Sequence, residues 1–379
     1  MATKHAILSA SSSHRWLVCP PSALECAHIP DVASSFAKQG TEAHALGEYK
    51  VLTALGHAVT NPTSTLQTYD TEMEQCTEDY AQYVLEQIAI TKQSCKDPLV
   101  LIEQRLDFSK WVPDGFGTGD CVIVADDKLT IIDYKHGLGV LVDAERNPQM
   151  MCYALGALAL FDGIYDIQTV SMTIFQPRRE NVSTFEMTKA DLMDWAETVL
   201  RPIAELASKG EGEYVAGEHC RFCKIKATCR KRAEQNLLLA QYDFAPPSKL
   251  NDEEIEIVLG HVDELVNWAG DVKDHALQQA VAGKVWNGWK LVEGRSNRRY
   301  TDEAAVADAV ERAGYDPYEH KLLGITAMSK VLGKKQFEEL LAGFVEKPQG
   351  KPVLVPESDK RPPMNTAADD FSTISKEEN

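Results

Sequence analysis

The chain has 379 residues, 44% of them apolar and 25% charged, the proportions of a soluble globular protein with length for one large domain or two ordinary ones. A formal net charge of −18 excludes a surface that coats nucleic acid everywhere, though not a local basic groove. There is no uninterrupted apolar run long enough for a membrane span. The opening MATKHAILSASSSHRW lacks the sustained apolar stretch of a secretion signal, so the expected address is the cytoplasm.

The first sixty residues read as helical. Ser11–Ser13 cap a short helix carrying Trp16 and Leu17, ended by Pro20-Pro21. Longer helices are predicted from Ser34 to Leu55 and over 70–93, the second with Tyr80, Val84 and Ile88 on one stripe. The period then changes. LVLIEQRLDF (99–108), GTGDCVIVAD (117–126) and KLTIIDYK (128–135) read as three strands, with Asp126-Asp127 as a hairpin turn. A helix over Asn147–Leu160, a strand over 169–178 and a helix over Asp191–Ser208 follow, the last with Thr188 and Asp191 as a cap signal. This order predicts an α/β core with a mixed central sheet flanked by helices.

Beyond a cysteine-rich segment (219–232) the chain changes character. A long amphipathic helix is expected over 251–283, with Asn251 and Glu254 as a capping box and Gly283 as the stop. WNGWKLVEG (286–294) reads as a hairpin, 302–313 and 326–344 as helices, and the polar stretch from Lys347 as a disordered tail. The expected organisation is a core over 1–235, a mainly helical appendix over 236–346, and a tail over 347–379.

Two charges end the third strand. Strand side chains alternate, so Asp133 and Lys135 share a face and Tyr134 takes the other. Alone, that pair is an edge salt bridge as readily as a site. The hairpin register, however, places Asp120 opposite Asp133. Two facing carboxylates repel unless a cation lies between them, and a hard divalent ion such as Mg²⁺ or Mn²⁺ suits them. A neighbouring lysine can steer water and neutralise charge developing on a phosphoryl oxygen.

Gly40-x-x-x-His44, Gly117-x-x-Asp120, Asp133-Tyr-Lys135-x-Gly137 and Gln149-x-x-x-Tyr153 occur in order on the predicted elements. Together they resemble the RecB-like branch of the PD-(D/E)XK nucleases over roughly residues 10–235. The resemblance implies a restriction-endonuclease-like core and a DNA exonuclease activity. It assigns His44, Asp120 and Asp133 to metal and Lys135 to the attacking water. Gln149 and Tyr153, one helical turn apart, would contact the DNA backbone or brace the site. Glu103 on the adjacent strand either approaches the site or is a structural glutamate. Glu48 is either a partner of the His44 imidazole or solvated. The reading from another class is a noncatalytic DNA-binding adaptor on the same core.

CRFCKIKATC supplies Cys220, Cys223 and Cys229, and a fourth thiolate must come from elsewhere. Cys19 in WLVCPP is the candidate. That pattern resembles the iron–sulfur RecB-like nucleases, which include AddB-type helicase–nuclease subunits and CRISPR-adaptation exonucleases. By that resemblance Cys19, Cys220, Cys223 and Cys229 hold a [4Fe–4S] cluster that staples the two ends of the core. Zinc is the alternative, with His14 and His219 as further donors. Cys26, Cys76, Cys95, Cys121 and Cys152 lack matching spacing. Six Lys or Arg residues and one acid between Cys220 and Gln235 are either a phosphate surface or a counterweight to a thiolate cluster. RSNRRY (295–300) is a second basic stretch, and Trp268, Trp286 and Trp289 are read as packing residues. The whole order resembles a nuclease-like family common in phages and prophages. It implies DNA recombination or replication in a host cytoplasm, with DNA and a phage single-strand-binding or annealing protein as partners.

Overall fold

The computed structural model describes residues 6–30, 35–239, 250–294, 298, 300–318, 321–346, 353–357, 359 and 361–362. They fall into two compact units, one up to Gln279 and one from Ala280. The first reaches past the expected boundary near 235, and the expected tail from 347 lies mostly outside the described residues.

Five strands form one mixed sheet in sequence order: β1 (Leu99–Asp107), β2 (Phe116–Val124), β3 (Lys128–Tyr134), β4 (Thr169–Gln176) and β5 (Asn181–Thr188). All neighbours are antiparallel except β3 and β4. The turn at Asp126-Asp127 is closed by Ala125 N donating to Lys128 O at 2.9 Å. It sets Cys121 against Ile132 and Val124 against Leu129. β3 and β4 are covered on both faces, which is why TIID and VSMTIF are nearly continuous apolar runs. Sequence reading missed β5. Its NVSTFEMT half-buries alternate residues and exposes the rest, the pattern of an edge strand whose polar half hides the signal.

Helices cover both faces. On one side lie α3 (Ser35–Ala54) and α4 (Thr71–Thr91), with Leu46, Val51, Tyr80 and Val84 packed against Ile123, Ile132 and Tyr134. The expected ranges for both held to within two residues; Ser34 itself lies outside the described residues. On the other side α5 (Pro148–Phe161) packs against Leu106, Val122, Ile131 and Ile174. α5 approaches the sheet because Gly156 leaves room, since a Cβ there would stand 2.8 Å from Leu106 Cβ and 3.0 Å from its backbone. α6 (Lys189–Trp195) and α7 (Arg201–Lys209) flank a π-helical turn over Ala196–Leu200, and the expected Thr188 cap accepts from Asp191 N at 3.0 Å. Ahead of the core, α1 (Ser13–Trp16) and α2 (Ser22–Ala27) are anchored by the buried Trp16, whose Nε1 donates to Ser9 O at 3.1 Å.

After the cysteine segment come α8 (Arg230–Leu237), α9 (Asp252–Leu259) and α10 (Val262–Val281). The single helix expected over 251–283 is two, divided at Gly260-His261. Glycine there weakens the helix, and His261 O takes up the next helix by accepting from Leu265 N at 3.0 Å. The Asn251–Glu254 capping box forms as expected. Buried Arg232 ties α8 to α10 through Glu264 at 2.5 Å and Asp271 at 2.6 Å.

In the second unit, α11 (Glu303–Arg312) matches expectation, while the helix expected over 326–344 divides at Gly333 into α12 (Ile325–Leu332) and α13 (Lys334–Leu341). Gly333 has φ +74, outside the helical region. The hairpin expected over 286–294 is a turn alone: Trp289 N donates to Trp286 O at 3.0 Å and Gly288 has φ +82, but no strands flank it. No helix among the described residues is long and apolar enough to cross a membrane.

Candidate metal and hydrolytic site

The site lies where β1, β2, β3, α3 and α5 meet. Each strand brings an acid. On β2, Asp120 precedes the paired run with β3; its Oδ2 accepts from Tyr134 N at 2.6 Å, which ties the two strand ends together. Its Oδ1 lies 3.2 Å from His44 Nδ1. His44 projects from α3, and its ring lies edge-on to Tyr134 at 5.4 Å. On β1, the ladder pairs Ile102 with Cys121 and Gln104 with Gly119, so Glu103 faces Asp120 across it.

Glu103 is the residue that sequence reading underrated. It holds φ +51, a left-handed conformation unusual for a strand. Leu99, Leu101 and Leu106 all pack on the α5 side, an odd-to-even change of parity that this residue accommodates. Such strain persists where surrounding structure enforces it, and it aims the carboxylate at the pocket. His44, Glu103 and Asp120 each offer a ligand atom within 4.8 Å of the others.

The trio expected from the sequence was His44, Asp120 and Asp133. Asp133 stands beside the trio instead, engaged by α5. Its Oδ1 accepts from Gln149 Nε2 at 3.1 Å, and Lys135 Nζ lies 2.8 Å from its Oδ2. Asn147 caps α5 by accepting from Gln149 N at 3.0 Å, and Pro148 fills the first turn, so Gln149 opens the helix over the strand end. Its side-chain amide also donates to Tyr153 Oη at 3.1 Å and accepts from Lys135 Nζ at 3.3 Å. Gln149 and Tyr153 therefore brace the site. Tyr153 in turn needs Gly117: a Cβ there would stand 2.6 Å from Tyr153 Cε1. Glu48, the expected partner of the His44 imidazole, acts on the pocket through its charge, helping to push Glu103 up.

The electrostatics describe a pocket short of positive charge. Burial alone would lower His44, but Asp120 outweighs it and lifts the imidazole to about 9. Burial and then Asp120 push Glu103 up to about 7. Burial raises Asp133 and Lys135 only partly offsets it, while burial of Asp120 is outweighed by His44, leaving that carboxyl low. Raised Glu103 and Asp133 favour holding a proton where a divalent ion, if bound, would supply the positive charge and displace it. A histidine nitrogen and two carboxylates are a donor set that suits Mg²⁺ or Mn²⁺.

The expected cysteines lie where the N-terminal helices meet the 214–229 segment, but among the described residues no three of their sulfurs and imidazoles draw together as the pocket's trio does. Cys19, Cys220 and Cys223 are buried and Cys229 is half-buried. His219 lies between Cys19, which it hydrogen-bonds, and Cys220 Sγ at 3.9 Å. His14 rests edge-on to Phe222 at 5.3 Å. Tyr214 Oη donates to Glu25 at 2.6 Å and Lys224 Nζ to Ile29 O at 2.6 Å, so both ends of the core are joined here. Cys26, set aside for lack of spacing, belongs to the group: its sulfur lies 3.7 Å from Cys223 Sγ and accepts from Arg15 Nη1 at 3.2 Å and Lys224 N at 3.3 Å. Cys76, Cys95, Cys121 and Cys152 are buried elsewhere in the core. The basic stretch beside the cysteines is partly consumed internally, with Arg232 and Lys226 both on Asp271. Of RSNRRY, only Arg298 and Tyr300 lie among the described residues.

Among solved structures, one titled "Crystal structure of SSO0001" is similar at 13% identity and a TM-score of 0.23, over 51% of this chain and 98% of that one. Residues 5–362 match the protein-family profile described as "Protein of unknown function (DUF2800)", and the chain belongs to that family.

Proposed function

We propose that this chain is a divalent-metal-dependent deoxyribonuclease of the RecB-like PD-(D/E)XK kind, acting on DNA ends in phage recombination, repair or replication. The observation that supports the reading most is the meeting of the His44, Glu103 and Asp120 trio with Lys135, clamped between Asp133 and Gln149. A Mg²⁺ or Mn²⁺ ion on the trio supplies Lewis-acid polarisation of the scissile phosphate. Lys135 orients the attacking water and offsets charge developing on a phosphoryl oxygen. Asp133 and Gln149 hold Lys135 in place, and Tyr153 holds Gln149. A noncatalytic adaptor has no use for a strained Glu103 in a pocket whose half-buried lysine is held by Asp133 and Gln149.

Cys19, Cys220, Cys223 and Cys229 would hold a [4Fe–4S] cluster, with zinc as the alternative; their all-sulfur donor set suits either and not a hard ion. The cluster's contribution is to fasten α1 and α2 to the 214–229 segment.

Anaerobically purified protein with Mn²⁺ is expected to degrade end-labelled DNA, while Lys135→Ala and Asp133→Ala do not. Equal activity in all three removes the hydrolase reading. A brown, iron-positive protein supports the cluster, and a colourless, zinc-positive one replaces it with zinc.

A further inference from the structure

Cys26 lies in the last turn of α2, and Cys223 directly follows a 3₁₀ turn over Glu218–Phe222. Their sulfurs lie 3.7 Å apart although 197 positions separate them in the chain. Both residues are buried. The Cys26 sulfur is held from two sides: Arg15 Nη1 donates to it at 3.2 Å and Lys224 N at 3.3 Å. Arg15 is itself buried and anchored on Ser22 O at 2.5 Å. On the other side the backbone is a defined turn, with Cys223 N donating to Cys220 O at 2.9 Å and Lys226 N to Cys223 O at 3.2 Å.

Among the described residues no third histidine, cysteine or acid lies within 4.8 Å of both sulfurs. A single tetrahedral ion asks for three or four such donors, whereas a disulfide asks for two. The S–S bond is about 2 Å long, so closing it takes a shift of about 1.7 Å shared between the two side chains. The guanidinium and the amide also offset negative charge on the sulfur they hold.

We infer that Cys26 and Cys223 are a redox pair that closes to a disulfide under hydrogen peroxide when the junction carries no metal. The inference goes beyond the proposed function and does not depend on it. Cys26, as thiolate, attacks one oxygen of the peroxide; the O–O bond breaks, the leaving hydroxide takes up a proton as water, and a sulfenic acid remains. Cys223, as thiolate, then attacks that sulfur. The S–S bond forms, the S–O bond breaks, and the second hydroxide leaves as water with the proton Cys223 gave up. Two electrons pass from the sulfurs to the peroxide. An oxidant little larger than water suits a buried pair. The disulfide and a metal exclude each other at Cys223, whose sulfur either ligates or bonds Cys26. The oxidised chain therefore keeps α2 fastened to the 214–229 segment and refuses metal at Cys223 until a dithiol reductant reopens the bond.

The test uses full-length protein stripped of metal by chelation, reduced, freed of reductant and exposed to hydrogen peroxide. Peptides are then mapped by mass spectrometry with free thiols blocked. A linked Cys26–Cys223 peptide is expected, lighter by two hydrogens than its separate halves and lost on adding dithiothreitol. The oxidised protein is expected to melt at a higher temperature than the reduced one, because the bond closes a long loop in the unfolded chain. Cys26→Ser should lose the linked peptide and that rise, while Cys95→Ser, buried elsewhere in the core, should keep both. Recovery of Cys26 and Cys223 as free thiols, or a Cys19–Cys220 link in their place, overturns the pair. If Cys26→Ser does not fold, the map of the wild type decides alone. Cleavage of DNA is not read, so failure here and failure of the hydrolase reading are told apart.

Discussion

The carboxylate pocket and the cysteine junction are built in opposite ways. In the pocket, the acids sit on neighbouring strands whose register is set by backbone hydrogen bonds, and α5 is capped directly over them. Most polar groups already have a partner: Asp120 has His44, Asp133 has Lys135, and Gln149 bonds both members of the second pair. The junction joins two short, irregular segments nearly two hundred residues apart; Cys26 meets Cys223, and the other sulfur contacts are with one histidine, one arginine and backbone amides. Regular structure places chemistry without help from a ligand. Irregular structure places it only by folding two ends together, and a bound group then contributes folding free energy outright.

That contrast can be broken by substitution. The largest effect is expected at Lys135→Ala: hydrolysis should fall about 10²–10⁴-fold while thermal unfolding hardly moves, because Asp133 can take up a proton. A collapse in melting temperature would mean the pocket is a structural ion pair. Cys220→Ser should do the opposite, bleaching the protein and costing several kcal/mol of stability, read by visible absorbance and chemical denaturation. Unchanged stability would mean that the junction holds itself. Next, Gly117→Ala forces a methyl into the Tyr153 ring and should cost about 1–3 kcal/mol. Activity should fall with it, because Gln149 loses its brace; denaturation and cleavage measured together check this.

The smallest effect is a pH dependence confined to the pocket. His44, lifted to about 9, and Glu103, lifted to about 7, both lie above their ordinary values. Their contribution to the stability of metal-free protein is complete below those ordinary values and is lost as pH rises, through 7 for Glu103 and through 9 for His44. Asp120 is shifted down, so its contribution is lost only in acid. Melting in EDTA should therefore weaken progressively from about pH 4.5 to 9, first with Glu103 and then with His44, as Mg²⁺ affinity grows. Parallel melting curves with and without Mg²⁺ across that range would contradict it.

How much of this was legible depended on whether the signal was local. The hairpin register was readable because a two-residue turn and period-2 alternation determine it together; the ladder's last pair, Cys121 with Ile132, adjoins Asp120 and Asp133. The caps at Thr188, Asn251 and Gly283 were readable for the same reason. Glu103 was not, because its left-handed backbone is not a preference of glutamate and arises where the strand changes which face its leucines present. β5 hid behind its exposed half. The breaks at Gly260 and Gly333 were overlooked because amphipathic spacing resumes after each. Cys26 was set aside on spacing, although distance in sequence says nothing about what folds against the 220–229 segment.

Residue order alone therefore settled the layering of helices on a mixed sheet, the presence of two acids and a lysine at its strand ends, and the helix that covers them. These follow from periodicity, turn chemistry and capping, which act over a few residues. Which acid joins His44 and Asp120, which sulfurs touch, and how far the first unit extends were decided by packing between distant segments. Contacts of that range carry no periodic trace along the chain, since they depend on where whole elements come to rest.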